Sequence, residues 1–247
     1  MKSITDLRVK IFADGADKAG MLEMYRNPAI RGFTTNPTLM RKAGVRDYEA
    51  FAREILAAIP DRPISFEVLA DEFAEMDVQA RAIAGWAENV FVKVPVTNTR
   101  GESSAGLVER LSHDGIKLNV TALLTLDQVR TVAACLAGGA PASVSVFAGR
   151  IADTGRDPAP LMAAAVGELG AAPNAELIWA SPRELLNILQ ADAVGCHIIT
   201  ATYDILQKLP LIGKDLTKFS LETVEMFYTD AVASGFRVSG PKGRSQR

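Results

Sequence analysis

The chain has 247 residues, enough to bury one sizeable core, and an α/β barrel of about 250 residues fits this length as a single domain. Hydrophobic residues make up 48% and charged residues 23%, and a net charge of -2 gives no general attraction for nucleic acid or an anionic membrane. No apolar run approaches the roughly 20 residues that span a bilayer, and Met1-Lys-Ser-Ile-Thr-Asp has no long apolar signal core, so the chain reads as a soluble, cytoplasmic protein with a small-molecule partner.

Short apolar runs alternate with helical patterns from end to end, the signature of repeated βα units. The spacing predicts strands at Lys10–Ala13, Ile30–Thr34, Pro63–Val68, Val90–Val96, Lys117–Ala122, Ala142–Ala148, Glu176–Ala180 and Cys196–Ala201. That is close to the ~31 residues per unit of an eight-fold barrel. Between them, Tyr48, Phe51, Ile55, Leu56 and Ile59 share one helical face, as do Phe73, Met76, Ala80 and Ile83. Thr125 with Gln128, Asp157 with Pro158, and Ser181 with Pro182 and Glu184 read as helix starts. After the eighth strand come Tyr203–Leu209 and a further amphipathic helix over Ser220–Ala233, which should pack on the barrel or on a neighbour. The expected organisation is a single-domain (β/α)8 TIM barrel over residues 1–240, its extra C-terminal helix included, with a flexible tail at 241–247. Cys135 and Cys196 are far apart in apolar segments and read as free thiols. His113 and His197 are equally isolated, so no zinc cluster is predicted, although a carboxylate site for magnesium stays open.

The chemistry gathers where a barrel keeps it, at the C-terminal ends of the strands. Asp14 closes the first strand, Asn36 follows the second, Glu67 lies in the third and Lys93 in the fourth. Asn119 and Thr121 lie in the fifth, Ser145 and Phe147 in the sixth with Arg150 just beyond, and Ser181 and Arg183 follow the seventh. Lys93 stands out because its strand, Asn89-Val-Phe-Val-Lys-Val-Pro-Val-Thr, is apolar on both sides of it. An ammonium group removed from water loses hydration, which favours a neutral amine able to attack a carbonyl. A lysine that snorkels to solvent or pairs with a carboxylate is the competing reading of the same residue. Asp14 as a helix cap, and Glu67 or Thr121 as satisfied core polar groups, are the structural alternatives for those positions.

Five segments in order, Ala13-Asp14, Thr34-Thr-Asn-Pro-Thr38, Phe91-Val-Lys-Val-Pro95, Asn119-Val-Thr121 and Val144-Ser-Val-Phe-Ala-Gly-Arg-Ile151, resemble those of the small bacterial transaldolases and the related fructose-6-phosphate aldolases. The resemblance runs from about Ile11 to Phe236. Departures are local: Gly15-Ala-Asp17 after the first aspartate, Val146 where that family usually has proline, and Pro182 between Ser181 and Arg183.

The resemblance implies that Lys93 forms a Schiff base with a ketose and that Asp14 takes the hydroxyl proton as the C3–C4 bond breaks. It implies that Glu67 and Thr121 hold a proton-shuttling water and that Asn36, Asn119 and Ser145 bind sugar hydroxyls. Arg150, Ser181 and Arg183 are expected to bind phosphate on physical grounds, since free N–H groups at a helix start by Ser181 favour an anion and Arg183 adds a forked charged donor; a mere capping box of Ser181 with Glu184 is the alternative. The iminium serves as electron sink, so no metal and no cofactor are implied. Glu67 with Phe147 is the pair implied for transferases, where the aldolases have glutamine and tyrosine. The net reaction would move dihydroxyacetone from sedoheptulose 7-phosphate or fructose 6-phosphate to glyceraldehyde 3-phosphate or erythrose 4-phosphate, as in the pentose phosphate pathway, in a homo-oligomer. Two alternatives remain: an aldolase releasing dihydroxyacetone, and a non-catalytic barrel that binds a sugar phosphate.

Overall fold

A computed structural model describes residues 4–238. Eight parallel strands close into a barrel in chain order. They are β1 (Lys10–Asp14), β2 (Ile30–Thr34), β3 (Ile64–Glu67), β4 (Val90–Pro95), β5 (Leu118–Leu123), β6 (Ala142–Val146), β7 (Ala175–Trp179) and β8 (Ile198–Thr202). The ring of helices includes α1 (Lys18–Arg26), α2 (Pro37–Lys42), α3 (Tyr48–Ala58), α4 (Phe73–Ala84), α5 (Ala105–His113), α6 (Leu126–Leu136), α7 (Ala148–Ala152), α8 (Ala159–Glu168), α9 (Leu186–Ala193), α10 (Tyr203–Leu206) and α11 (Leu216–Ser234). The (β/α)8 TIM barrel with a C-terminal helix is therefore the fold observed.

Local sequence explains many helix starts. Asp17, Asn36, Asp47 and Asp215 each accept a backbone N–H of the first turn through a side-chain oxygen. Thr125 and Gln128 form the reciprocal capping box that their spacing predicts. At Ser181 the prediction is wrong. Ser181 has left-handed backbone (φ 59°), α9 begins only at Leu186, and the Arg183 and Glu184 N–H groups donate to Asn187 Oδ1 instead. The strand expected through Ala148 also ends early, because Ala148 opens α7. The C-terminal helix starts at Leu216, four residues before the predicted Ser220, since Asp215 supplies the cap. The tail at 241–247 lies outside the described residues.

The main core is the sleeve between barrel and helices, where Ile55, Met76, Val108, Val132, Met162 and Ile188 meet outward strand residues such as Phe33, Phe66, Val92, Val120 and Leu177. The barrel interior is different. Its apolar part is a small cluster of Phe12, Ile178, Ala180 and Ile198, with Phe147 packed against it. Buried polar residues, among them Ser65, Lys93, Asn119, Ser145 and Thr200, stand on the strands around it. An ideal Cβ on Gly32 would come within 2.5 Å of the Phe12 ring, so glycine on β2 is what lets that ring lie across the interior. Among the described residues no helix is long and apolar enough to cross a membrane. On α11 no residue is buried, and Leu221, Val224, Phe227, Tyr228 and Val232 are all exposed.

Gly32→Ala should therefore force Phe12 or the β2 backbone to move, at a cost of about 1–3 kcal/mol. Urea unfolding of the two proteins measures it; an unchanged midpoint would mean the ring has room to turn aside.

Candidate active site

The C-terminal mouth of the barrel holds a cavity of about 440 Å³, and Asp14, Asn36, Glu67, Lys93, Thr121, Ser145, Phe147, Arg150 and Ser181 all line it. Strand register explains the gathering. Glu67 is opposite Lys93, and Lys93 is opposite Asn119, so neighbouring strands present these side chains side by side. The end of β3 is fixed from outside by α3, where the Tyr48 hydroxyl donates to the Glu67 carbonyl oxygen at 2.7 Å. The Tyr48 ring meets Phe66 and Trp86 edge-on, and burial pushes its hydroxyl pKa well above the ordinary tyrosine value.

Lys93 is buried, at 6% exposure. Its Nζ donates to the Thr35 carbonyl oxygen at 3.0 Å and stands 3.3 Å from Glu67 Oε2. The lysine does not snorkel outward; it points into the cavity and pairs with a carboxylate, so that half of the competing reading is what the structure shows. Thr121, only 2% exposed, has a hydroxyl without a hydrogen-bond partner among the described residues. A buried hydroxyl in that condition carries a cost unless something in the cavity satisfies it.

Asp14 is on the other side of the cavity. Its Oδ1 accepts the Thr34 hydroxyl at 2.7 Å. Burial pushes the carboxyl pKa above the ordinary aspartate value, and the positive charge of Lys93 and the Thr34 hydrogen bond oppose that rise. Asp14 is not the cap of α1; Asp17 is.

Asn119 is completely buried and does not line the cavity. Its Nδ2 donates to Ser65 Oγ at 2.9 Å and its Oδ1 accepts from Ser145 Oγ at 2.7 Å, so it orients Ser145. Asn36 lines the cavity and also caps α2 through Oδ1, which leaves its amide nitrogen for other use.

The arginines differ from each other. Arg150 lines the cavity with its guanidinium 5.7 Å over the Phe147 ring. Arg183 lines an adjoining recess and is held by Asp153, through Nε at 2.8 Å and Nη2 at 2.5 Å, while Nη1 reaches Ser181 Oγ at 2.9 Å. That ion pair holds the Asp153 carboxyl below the usual range. Gly149 N–H donates to Ala180 O, and a Cβ on Gly149 would lie 1.5 Å from Ser181 O. Only glycine allows the turn after β6 to meet the turn after β7 there.

Sequence reasoning left Thr34, Thr200 and Ala122 without a role, yet all three line the cavity. Thr34 was visible in a motif, and Thr200 as a hydroxyl in an apolar strand. Ala122 gave no signal, although with φ 67° it joins Ser181 as a non-glycine residue in the left-handed region, at a cost of roughly 1–2 kcal/mol each. Among the described residues no group of three His, Cys, Asp or Glu is disposed to hold a metal ion.

A family described as transaldolase/fructose-6-phosphate aldolase matches residues 11–238. A probable transaldolase of Dehalococcoides mccartyi is 35% identical over 85% of this chain and 96% of its own. One from Methanococcus maripaludis is 37% identical over 85% and 95%, and one from Clostridium acetobutylicum 35% over 89% and 99%. Among solved structures, a putative dihydrodipicolinate synthase family protein of Coccidioides immitis superposes with a TM-score of 0.59 at 12% identity, over 94% of this chain and 80% of that one, a likeness of fold alone.

Because burial raises the Asp14 pKa, ionising this group is harder in the folded state than in the unfolded one. Its contribution to stability is complete below the unfolded value of about 3.9 and is lost as pH rises through the higher folded value. Asp14→Asn should therefore melt above the wild type at about pH 8, with the gap closing toward about pH 4. A variant that melts lower at about pH 8 would show that the Thr34 bond and the Lys93 charge outweigh burial.

Proposed function

The chain belongs to the transaldolase/fructose-6-phosphate aldolase family, and on that footing we propose that it transfers a dihydroxyacetone unit between sugar phosphates through a Schiff base on Lys93. The observation that carries the reading is a buried lysine amine in the cavity, 3.3 Å from one carboxylate and facing a second. The amine form of Lys93 attacks the C2 carbonyl of the ketose to give a carbinolamine, which loses water to become an iminium. Glu67 and Thr121 relay the protons of these steps, Glu67 as an acid and base next to Nζ, Thr121 with a hydroxyl that the described residues leave unpaired.

Asp14 then takes the C4 hydroxyl proton, the C3–C4 bond breaks, its electrons neutralise the iminium as an enamine, and an aldehyde leaves. The enamine attacks a second aldehyde, Asp14 returns the proton to the new alkoxide, and hydrolysis frees the product and Lys93. Asn36 and Ser145, the latter oriented by Asn119, hydrogen-bond the sugar hydroxyls. Arg150 is the first candidate for the phosphate, since its guanidinium lies over an aromatic ring and, among the described residues, in no ion pair with a carboxylate. Ser181 joins it from the cavity wall, and Arg183 contributes while it remains shared with Asp153.

Transfer is favoured over release because Phe147 gives the cavity wall an aromatic ring with no hydroxyl to position a water that would protonate the enamine. The reading extends to a cytoplasmic enzyme of pentose phosphate conversion. It extends also to a homo-oligomer, for which α11 is the support: 19 residues of helix with apolar side chains exposed and none buried need a covering surface.

Borohydride in the presence of fructose 6-phosphate should attach the sugar-derived unit to Lys93, and Lys93→Ala should abolish both adduct and turnover. An adduct on Lys117, or one that survives in Lys93→Ala, overturns the assignment.

Incubated with fructose 6-phosphate alone, the enzyme should release little dihydroxyacetone beyond one equivalent; adding erythrose 4-phosphate should raise turnover by roughly two orders of magnitude, the size of a typical acid–base contribution. Fast release without acceptor would make it an aldolase, and no adduct or turnover at all would favour the binding-only barrel.

A further inference from the structure

Behind Asp14 lies a pair of buried threonines. Thr34 Oγ1 is 2.7 Å from Asp14 Oδ1 and 2.5 Å from Thr200 Oγ1. The three residues come from β1, β2 and β8, adjacent strands, with Thr34 opposite Asp14 in the β1–β2 register and Thr200 opposite Phe12 in the β1–β8 register. Thr34 is 2% exposed and Thr200 4%, so each side chain is largely withdrawn from solvent although both border the cavity.

The direction of the chain follows from counting protons. A carboxylate only accepts, so while Asp14 is ionised Thr34 gives it the one proton a hydroxyl has. The Thr34 oxygen can then only accept from its other neighbour, and Thr200 must donate. The order Thr200 O–H to Thr34 O–H to Asp14 is therefore forced by chemistry. Both threonines are β-branched and stiff about χ1, which holds the order in place.

We propose that Thr34 and Thr200 form a fixed donor chain that keeps Asp14 an ionised base, positioning Oδ1 and leaving Oδ2 for the substrate. This rests on Asp14 being the base of the proposed reaction. Oδ2 accepts nothing from the described side chains, whereas Oδ1 is held against the strand neighbours. A proton arriving on Oδ2 turns Oδ1 into the oxygen of a neutral acid, a weaker acceptor, so the chain loses strength on protonation and resists it. In a buried site this opposes desolvation, which acts the other way. Of the charged groups facing Asp14, Lys93 on β4 favours the carboxylate and Glu67 on β3 disfavours it. Asp17, Glu23, Arg150, Arg183 and Asp204 stand on the surrounding walls and give it no hydrogen bond. Thr34 is its hydrogen-bond donor.

The test is a titration of the Asp14 carboxyl carbon by 13C NMR in the full chain, assigned by its loss in Asp14→Asn, run beside pH profiles of kcat. Thr34→Val, nearly isosteric, should raise the Asp14 midpoint and the acid limb of kcat by about one unit or more, the equivalent of one hydrogen bond to a charged group. Thr34→Ser should restore both. Thr200→Val, a milder change for which folding is safer, should move them the same way by less. KM should change less than kcat throughout. An Asp14 midpoint unmoved or lowered in the valine variants overturns the chain, as does a serine variant that behaves like valine. A midpoint that rises while the acid limb of kcat stays put upholds the chain and removes Asp14 as the base, which separates this inference from the reading it rests on.

Discussion

The contact between Lys93 and Glu67, inside the mouth of the barrel, is the constraint to which the rest of the molecule is fitted. Two charged groups at 7% and 18% side-chain exposure lose much of their hydration, and an ion pair returns that cost only when other hydrogen bonds complete it. Here the Thr35 carbonyl supplies one acceptor for the ammonium group. The strands that carry the pair are in turn held by the sleeve of apolar residues outside them, so the interior is free to be polar. An ordinary barrel interior is packed with branched aliphatic side chains; this one gives those positions to serine, threonine, asparagine and lysine and keeps only a small apolar cluster around Phe12. The apolar burial is concentrated in the outer core, which leaves the inner one polar.

The two carboxylates show how environment divides labour between similar groups. Glu67 is next to the lysine, where a carboxylate can exchange protons with nitrogen. Asp14 faces the same ammonium group from across the cavity, with a hydroxyl donor behind it and burial around it. The two carboxylates thus stand in different surroundings within one cavity, Glu67 in contact with Nζ and Asp14 held by Thr34. Ala122 and Ser181, the two described non-glycine residues with left-handed backbone, both line this cavity.

The strands were legible because the sleeve demands apolar residues on every outward position, and periodicity reports that demand directly. Helix α3 and the Thr125–Gln128 box were legible for local reasons, a stripe of Tyr48, Phe51, Ile55 and Leu56 in one case and a fixed spacing in the other. Ser181 was misread because Ser-Pro-x-Glu looks like a helix start, while Asn187, farther along the chain, takes the N–H groups that a cap would need free. The Arg183–Asp153 pair joins residues 30 positions apart, and nothing in the local sequence marks it. Thr34 and Thr200 hid for a different reason: a threonine in a strand is ordinary, and only the closed barrel brings β8 beside β1 and both beside Asp14. Asn119 was seen as polar and interior, but its amide is taken up by Ser65 and Ser145 and does not face the cavity, which periodicity does not tell.

The meeting of two turns explains why Arg150 and Ser181 share one wall. Gly149 brings α7 close enough for its backbone to touch the Ser181 carbonyl, and the left-handed turn at Ser181 sends its hydroxyl to Arg183. Arg150 is the very next residue after Gly149, so its starting point is fixed by the same contact. Asp153, one turn farther along, then anchors Arg183 from the α7 side. Positive charge on this wall is therefore set by backbone fit between neighbouring βα loops, with Phe147 as the surface on which Arg150 rests. A phosphate held there would be oriented by parts remote from the reacting end of the sugar, which would separate the task of gripping the substrate from the proton transfers proposed at Lys93 and Asp14.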